Sequence, residues 1–277
     1  MLEYRLKRKI TLILLHIILI IASIVILFPL IWVLRTSFAH RVIAYRIPPK
    51  WIFTPTLDNY RTIFQEEPFH LYFINSFIVA FLSTVVCLLI GAPAAFSYSR
   101  FRTGGNALRV GILSTQMLPA ITLVIPFFLI YKLIGLYNTR IGLVITYITF
   151  NIPFVIWILT GFFQGVPKEL EESAMVDGCT RFGSFLRIIV PISLPGMLSA
   201  GVFTFVLSWN EFLFALILTG KKSRTLPVAV SGLITQQGTQ IGAVSAATML
   251  IIIPMIFLYF GLRSFLIKGM VAGALKE

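Results

Sequence analysis

The chain has 277 residues, of which 58% are hydrophobic and only 12% are charged. This composition is too apolar for a soluble domain of ordinary make-up and predicts an integral membrane protein. The net charge of +13 could indicate a nucleic-acid partner. However, the basic residues are scattered between apolar runs and form no single basic face, which argues against nucleic-acid binding.

Six apolar runs are each long enough to cross a bilayer, which takes roughly 20 residues per helix. The predicted spans cover residues 10–34, 71–98, 110–133, 141–163, 197–219 and 242–265. They leave no room for a large extramembrane domain, so we predict one all-α transmembrane domain. Most of the runs contain proline, which predicts kinked helices around a cavity, although ordinary kinks explain any single proline equally well.

The distribution of basic residues bears on the orientation in the membrane. An even number of spans places both termini on one side, and the N-terminus carries a basic cluster. Because the cytoplasmic side usually carries such clusters, we expect both termini to be cytoplasmic. The opposite side also carries lysine and arginine, so charge decides this only in part.

The chain lacks the sequence patterns of an enzyme. No segment matches the phosphate-binding pattern G-x-x-x-x-G-K-[ST], and we find no paired carboxylates, no Ser/His/Asp order and no metal-ligand spacing. We therefore predict that the chain itself holds no cofactor and no metal, and that a partner would hydrolyse any ATP. Cys87 in an apolar run and Cys179 in a charged loop are not expected to form a disulfide.

The loop between the fourth and fifth predicted spans, residues 166–196, has a pattern of its own. Pro167 suits a first helical position, and acidic residues follow where the helix dipole favours them. Asp177-Gly178 then predicts a helix stop. Beyond it comes an apolar helical stripe that ends before Pro191. The stripe consists of Phe182, Phe185, Leu186 and Ile189. Such a helical hairpin suits a groove on a cytoplasmic partner, and equally suits a connector lying on the membrane surface.

Part of this loop resembles a family motif. The run Glu172-Ser173-Ala174 with Asp177-Gly178, and the later Ile188, Pro191 and Pro195, resembles the EAA motif of binding-protein-dependent ABC importer permeases. Ser173 stands where alanine is usual, a small-for-small change. The resemblance implies the type I ABC importer permease fold and a coupling helix that sits in a cleft of the ATPase subunit. The coupling residues it implies are Glu171, Glu172, Ala174, Asp177, Gly178, Phe182 and Phe185.

Two further stretches, SWNEFLFALILTG and the tail from residue 263 onward, are similar to the maltose-type carbohydrate branch of that family. The resemblance implies a prokaryotic cytoplasmic membrane, a second permease subunit and two copies of an ATPase that bind ATP and Mg. It also implies an extracytoplasmic solute-binding protein that delivers a sugar, an oligosaccharide or a polyol phosphate. In the tail, residues 266–277, the resemblance implies ATPase contacts at Lys268, Gly269 and Gly273, whereas composition alone equally fits a frayed terminus.

A carboxylate lies within the fifth predicted span. Glu211 would cost at least ~2.5 kcal/mol at the bilayer centre unless it faced water or a partner. With Trp209 and Asn210 it could line a path for a hydroxyl-rich solute. The alternative is a hydrogen-bonded clamp between helices.

Two other functions compete with the importer. One is a secondary transporter driven by an ion gradient, which the scarcity of intramembrane charge and the lack of an internal repeat disfavour. The other is a membrane scaffold without a solute path. An importer predicts that Gly178→Asp lowers solute-stimulated ATP hydrolysis while the subunit still inserts.

Overall fold

The computed structural model describes the backbone of residues 2–235 and 238–274. Side chains are described for residues 8–234 and 240–264, apart from Arg109 and Leu113. The helices are α1 (Leu2–Ser37), α2 (Arg41–Ala44), α3 (Asp58–Glu66), α4 (Phe69–Phe101), α5 (Gly105–Gln116), α6 (Ala120–Leu133), α7 (Arg140–Gln164), α8 (Lys168–Val176), α9 (Arg181–Ser184), α10 (Val190–Trp209), α11 (Leu213–Leu218), α12 (Leu226–Gly232) and α13 (Ile241–Ala274). A π-helical turn, Phe185–Ile189, joins α9 to α10. Strands β1 (Ile234–Thr235) and β2 (Gly238–Thr239) pair antiparallel.

The described part of the chain is almost entirely helical, as predicted. Within the described residues, five helices are long and apolar enough to cross a membrane, or six if the bent pair α5 and α6 counts as one span. The chain divides into two compact units, residues 1–68 with 230–252 and residues 69–229 with 253–277.

The first unit contains a long apolar helix that ends in a hydrogen-bonded corner. Helix α1 exposes its side chains from Ile10 onward for about five turns, as expected of a helix that faces lipid or another subunit. At its end, Asn59 Nδ2 donates to the carbonyls of Ser37 (2.9 Å) and Ala39 (2.8 Å). One side-chain amide thus satisfies the carbonyl of the last residue of α1 and a carbonyl just beyond it, and links α3 to the end of α1.

The second unit is built on three long helices, α4, α7 and α10. Their facing side chains form an apolar core that includes Ala95, Phe96, Val155 and Leu159. A Cβ placed on Gly91 of α4 would lie 2.7 Å from Val155 Cγ1 of α7, so the two helices approach each other too closely there for any side chain. Small residues at such crossings are typical of membrane helix packing.

This close approach leads to the first prediction. Gly91→Ala should lower the thermal midpoint of the protein in detergent, because overpacking costs about 1–3 kcal/mol. The double variant Gly91→Ala/Val155→Ala, which removes the clashing methyl groups, should recover most of the loss. Tryptophan fluorescence during heating measures both midpoints. Equal midpoints for Gly91→Ala and the wild type would mean that the helices are free to separate.

Two of the predicted spans differ from the structure. The third, residues 110–133, is not one helix: α5 and α6 meet at an angle of 87° across Met117, Leu118 and Pro119. The break falls at a proline, which has no N–H to donate and disfavours helical geometry in the residue before it.

The fifth predicted span, residues 197–219, was wrong at both ends. Helical structure begins at Arg181 and continues without interruption to Trp209. The stripe helix therefore does not end before Pro191. The π-helical turn widens the chain just before that proline, where the Val190 N–H donates to Phe185 O. This extra room accommodates the ring that would otherwise collide with the preceding turn. The helix ends at Trp209, and the next helix, α11, begins at Leu213.

Candidate functional site

A tight corner joins α8 to α9 in the predicted coupling loop. Gly178 has φ +87°, in the left-handed region that favours glycine. Its N–H donates to Met175 O (3.1 Å), and the Cys179 N–H donates to Ala174 O (2.9 Å). These two bonds form a Schellman C-cap for α8. Thr180 then caps α9, since its Oγ1 accepts from the Gly183 N–H at 3.0 Å.

A buried ion pair attaches α8 to the end of α4. Arg100 Nε lies 3.0 Å from Glu171 Oε2, and the two side chains are only 5% and 8% exposed. The Arg100 Nε–H is not directed at this oxygen closely enough for a hydrogen bond. The contact is therefore an ion pair, defined by the short distance between the two charged groups. The same guanidinium donates through Nη2 to Val166 O at 2.9 Å. One arginine therefore holds both the loop helix and the chain that enters it.

The opposite end of the α4/α7 pair has a similar arginine-centred network. Arg140 Nε, at the start of α7, donates to Asn75 Oδ1 at 2.6 Å. Asn75 Nδ2 in turn donates to the carbonyls of Lys222 (3.0 Å) and Arg224 (2.9 Å). Both ends of the helix pair are thus fastened to a neighbouring loop.

The loop has an inward face that continues the core of the second unit. Ala174 is 7% exposed and Phe185 is 3% exposed. The Phe185 ring lies 4.8 Å from that of Phe96 and 6.1 Å from that of Phe163, measured between centroids. A displacement of the loop would therefore press directly on α4 and α7, since close-packed interiors transmit strain.

The outward face of the loop combines apolar and acidic groups. Val176 is 87% exposed and Phe182 is 64% exposed. Glu172 and Asp177 are exposed beside them. The predicted apolar stripe is therefore divided between the two faces: Phe185 and Ile189 are buried, whereas Phe182 and Leu186 are exposed.

A second feature is a cleft of about 270 Å³ within the second unit, lined by both polar and apolar side chains. It lies where two helices are interrupted, between α5 and α6 and between α10 and α11. Its lining includes Thr115, Gln116, Leu118, Ala120, Tyr147, Phe150, Asn151, Leu207, Ser208, Glu211 and Phe214. Interrupted backbone at membrane depth is tolerated where it lines a water-filled cavity or is buried in protein.

Glu211 lies in the break between α10 and α11. Its Oε1 accepts from the Phe214 N–H (2.8 Å), and its Oε2 accepts from the Ala215 N–H (3.1 Å). Oε2 also accepts from the Tyr147 hydroxyl at 2.8 Å. The carboxylate therefore caps α11 and links it to α7, which is the clamp geometry, while it also lines the cleft.

The other two residues of the predicted solute path lie elsewhere. Trp209 is 1% exposed and packs between Phe73 and Phe205. Asn210 is exposed, and its Nδ2 donates to Val206 O within its own helix. Of the three predicted residues, Glu211 alone is among the cleft-lining residues.

Sequence reasoning did not identify the remaining polar residues of the cleft or Arg100. Asn151 lies within an apolar run two residues before a proline, and Gln116 lies three residues before another. For both Asn151 and Gln116, the sequence feature that could have identified them is a polar side chain close to a proline within a predicted span. Arg100 offered a weaker one, a basic residue at the end of the second span. The predicted tail contacts at Lys268, Gly269 and Gly273 lie outside the described side chains, although helix α13 extends to Ala274.

Comparison with known proteins gives consistent matches. The family described as binding-protein-dependent transport system inner membrane component matches residues 87–271. A sulfoquinovosyl glycerol transport system permease protein of Agrobacterium fabrum is 36% identical over 253 residues, 90% of this chain and 89% of the relative. A trehalose transport system permease protein of Mycobacterium tuberculosis is 37% identical over 227 residues, 80% of this chain and 83% of the relative.

A solved structure has the same fold. It is that of a bacterial ABC transporter involved in the import of the acidic polysaccharide alginate, one chain of which superposes with a TM-score of 0.78 at 20% identity. The superposition covers 92% of this chain and 96% of that one. The predicted ABC importer permease fold is therefore confirmed. Given the family match and these identities over most of its length, the chain belongs to the binding-protein-dependent transport system inner membrane components, the permeases of ABC transporters.

Proposed function

We propose that this chain forms half of a two-permease pore in a prokaryotic cytoplasmic membrane and imports a carbohydrate. A second permease subunit completes the pore, and an extracytoplasmic binding protein delivers the solute. Two copies of a cytoplasmic ATPase bind ATP and Mg and power the cycle. Both termini and the corner between α8 and α9 face the cytoplasm in this arrangement.

The observation that carries the proposal is the two-sided loop formed by α8 and α9. Its inner side is fixed to α4 by the Arg100–Glu171 pair and to the core by Phe185. Its outer side exposes Val176 and Phe182 next to Glu172. A rigid helix with an apolar and acidic outer face suits a groove in a partner protein. Closure of the ATPase pair would then move α4 and α7 through these contacts.

The carbohydrate assignment is supported by the relatives. Two permeases that match over at least 80% of this chain are named for trehalose and for sulfoquinovosyl glycerol, both of which carry sugar rings. Membership of an ABC permease family leaves the ion-gradient and scaffold alternatives without support.

Affinity purification of the tagged chain in mild detergent tests the assembly. We expect an ATPase with a Walker motif and a second permease in the eluate. Reconstituted with its binding protein, that complex should import a radiolabelled sugar only when ATP is inside the vesicle. Uptake without any ATPase subunit would overturn the proposal in favour of ion-gradient transport.

The Gly178 corner provides a sharper test of coupling. Because a β-branched residue is strained at φ +87°, Gly178→Val should lower ATP hydrolysis stimulated by the loaded binding protein about tenfold. Gly178→Asn is the matched control, since asparagine tolerates the left-handed region, and it should stay within about twofold of the wild type. Equal stimulation in both variants, in complexes that assemble equally, would contradict a coupling role for this corner.

A further inference from the structure

We propose that the basic loop, residues 41–53, is a binding site for the headgroups of anionic phospholipids. This loop includes α2 and connects α1 to α3 within the first unit. The ligand is a component of the membrane itself. The inference therefore goes beyond the proposed function and does not depend on which solute the chain transports.

The basic loop folds back along α1. The Trp51 ring lies 5.5 Å from that of Trp32 and 6.2 Å from that of Phe28, measured between centroids. Phe28 precedes Ser37, the last residue of α1, by nine positions, which is roughly 13 Å along the helix axis. The contact therefore brings Trp51 back to the apolar stretch of α1. Tryptophan is enriched where the hydrocarbon of a bilayer meets its headgroups.

Arg35 of α1 fixes the loop in this position. Its Nη2 donates to Lys50 O at 2.6 Å. Its guanidinium carbon lies 5.4 Å from the ring centroid of Trp32 and 5.0 Å from that of Phe53. Among the described side chains, no carboxylate forms an ion pair with this arginine. The loop is therefore attached to α1 by a cation whose charge these residues do not neutralise.

Positive charge is concentrated around this attachment. Residues 35–57 contain four basic residues and no acidic residue. Three of the basic side chains, those of Arg41, Arg46 and Lys50, are exposed on the loop. Clusters of lysine and arginine beside a membrane span attract anionic lipids, and their N–H groups donate strong hydrogen bonds to phosphate oxygens. The charge of the loop therefore favours anionic headgroups over zwitterionic ones.

Large apolar side chains separate the basic ones. Val42, Ile47 and Ile52 are 82%, 92% and 89% exposed. A segment that combines basic and exposed apolar residues is typical of a membrane interface, where the apolar groups enter the boundary of the acyl chains. Basic side chains there extend toward the headgroups while their methylene stems stay in the apolar layer. Because Trp51 places the loop against an apolar span, the bilayer is the surface that meets both kinds of side chain.

Quenching of Trp51 fluorescence by brominated lipids tests the site. The permease complex is placed in nanodiscs of unbrominated phosphatidylcholine with a rising fraction of either brominated phosphatidylglycerol or brominated phosphatidylcholine. The difference between the wild type and Trp51→Phe isolates the Trp51 signal from that of the other tryptophans. We expect brominated phosphatidylglycerol to give half-maximal quenching at a mole fraction at least ~10-fold lower than brominated phosphatidylcholine, because three basic side chains attract the anionic headgroup.

Charge variants provide the matched comparison. Arg41→Gln/Arg46→Gln/Lys50→Gln should abolish the preference, whereas Arg41→Lys/Arg46→Lys keeps the charge and should keep the preference within about twofold. Arg61→Gln, on an exposed arginine of α3, is the control and should leave the preference unchanged. Because all these side chains are exposed, thermal midpoints and copurified subunits should match the wild type. Salt at 1 M, where the Debye length is about 3 Å, should also abolish the preference.

Two results would overturn the lipid site. Equal quenching of wild-type Trp51 by the two brominated lipids would remove the preference for anionic headgroups. Quenching by neither lipid would place the loop outside the bilayer. If the loaded binding protein then changed the Trp51 fluorescence, the loop would be a contact surface for that protein and the proposal would be wrong.

Discussion

Replacing Arg100 by methionine should destabilise the second unit by about 3–5 kcal/mol, because Glu171 would be left charged and buried without a partner. The same change removes the hydrogen bond to Val166 O, so α4 would lose its polar contacts with both α8 and the segment that leads into it. We therefore also expect the loaded binding protein to stimulate ATP hydrolysis at least ~10-fold less, a loss that ~1.4 kcal/mol would produce.

The double variant distinguishes an ion pair from a simple loss of packing. Replacing both partners of a buried pair by apolar residues of similar volume is often neutral, so Arg100→Met/Glu171→Met should recover most of the stability. Arg102→Met, on an exposed arginine two residues away, is the control and should change little. Thermal midpoints in detergent and the ATPase rates stimulated by the loaded binding protein are measured for the wild type, the single variants and the double variant. Additive losses in the double variant would refute the pairing.

Glu211→Leu is expected to unfold α11 locally. The variant leaves the Phe214 and Ala215 N–H groups and the Tyr147 hydroxyl without their acceptor, at about 1–3 kcal/mol for each buried donor left unpaired. Hydrogen exchange followed by mass spectrometry should show the amides of residues 213–218 exchanging at least ~10-fold faster, since ~1.4 kcal/mol suffices for that change.

Two controls accompany this variant. Glu211→Gln keeps an acceptor oxygen in place and should stay close to the wild-type exchange rate. Asn210→Leu removes a neighbouring polar side chain that donates to Val206 O, one turn back in α10, and should leave the α11 amides protected. If the amides of residues 213–218 exchange as slowly in Glu211→Leu as in Asn210→Leu, the Glu211 carboxylate does not stabilise α11.

The coupling loop illustrates which features are accessible from sequence. Asp177-Gly178 predicted a stop and Pro167 a start, because capping and left-handed geometry depend on a few local residue types, and α8 lies between them. The sequence did not show which way each side chain of this loop points. Glu171 and Glu172 are adjacent acidic residues, yet one is buried against Arg100 and the other is exposed. Only the packing against α4 decides which is which.

The spans show the same division. Long apolar runs determined that the chain is a helical membrane protein, since lipid permits little else for such a composition. Hydropathy does not show where a helix breaks while the chain stays apolar. The prolines predicted kinks in the spans, but the complete break between α5 and α6 at Pro119 and the new helix that begins at Leu213 were not predicted.

The sequence by itself determined the class of protein, the approximate spans, the loop that resembles the EAA motif and the importance of a carboxylate at residue 211. These follow from composition and short-range patterns, which are properties of neighbouring residues. The tertiary structure alone placed Arg100 on Glu171, buried Trp209 and gathered Gln116, Asn151 and Glu211 around one cleft. Such contacts join residues separated by tens of positions along the chain, and helix packing fixes which of them meet.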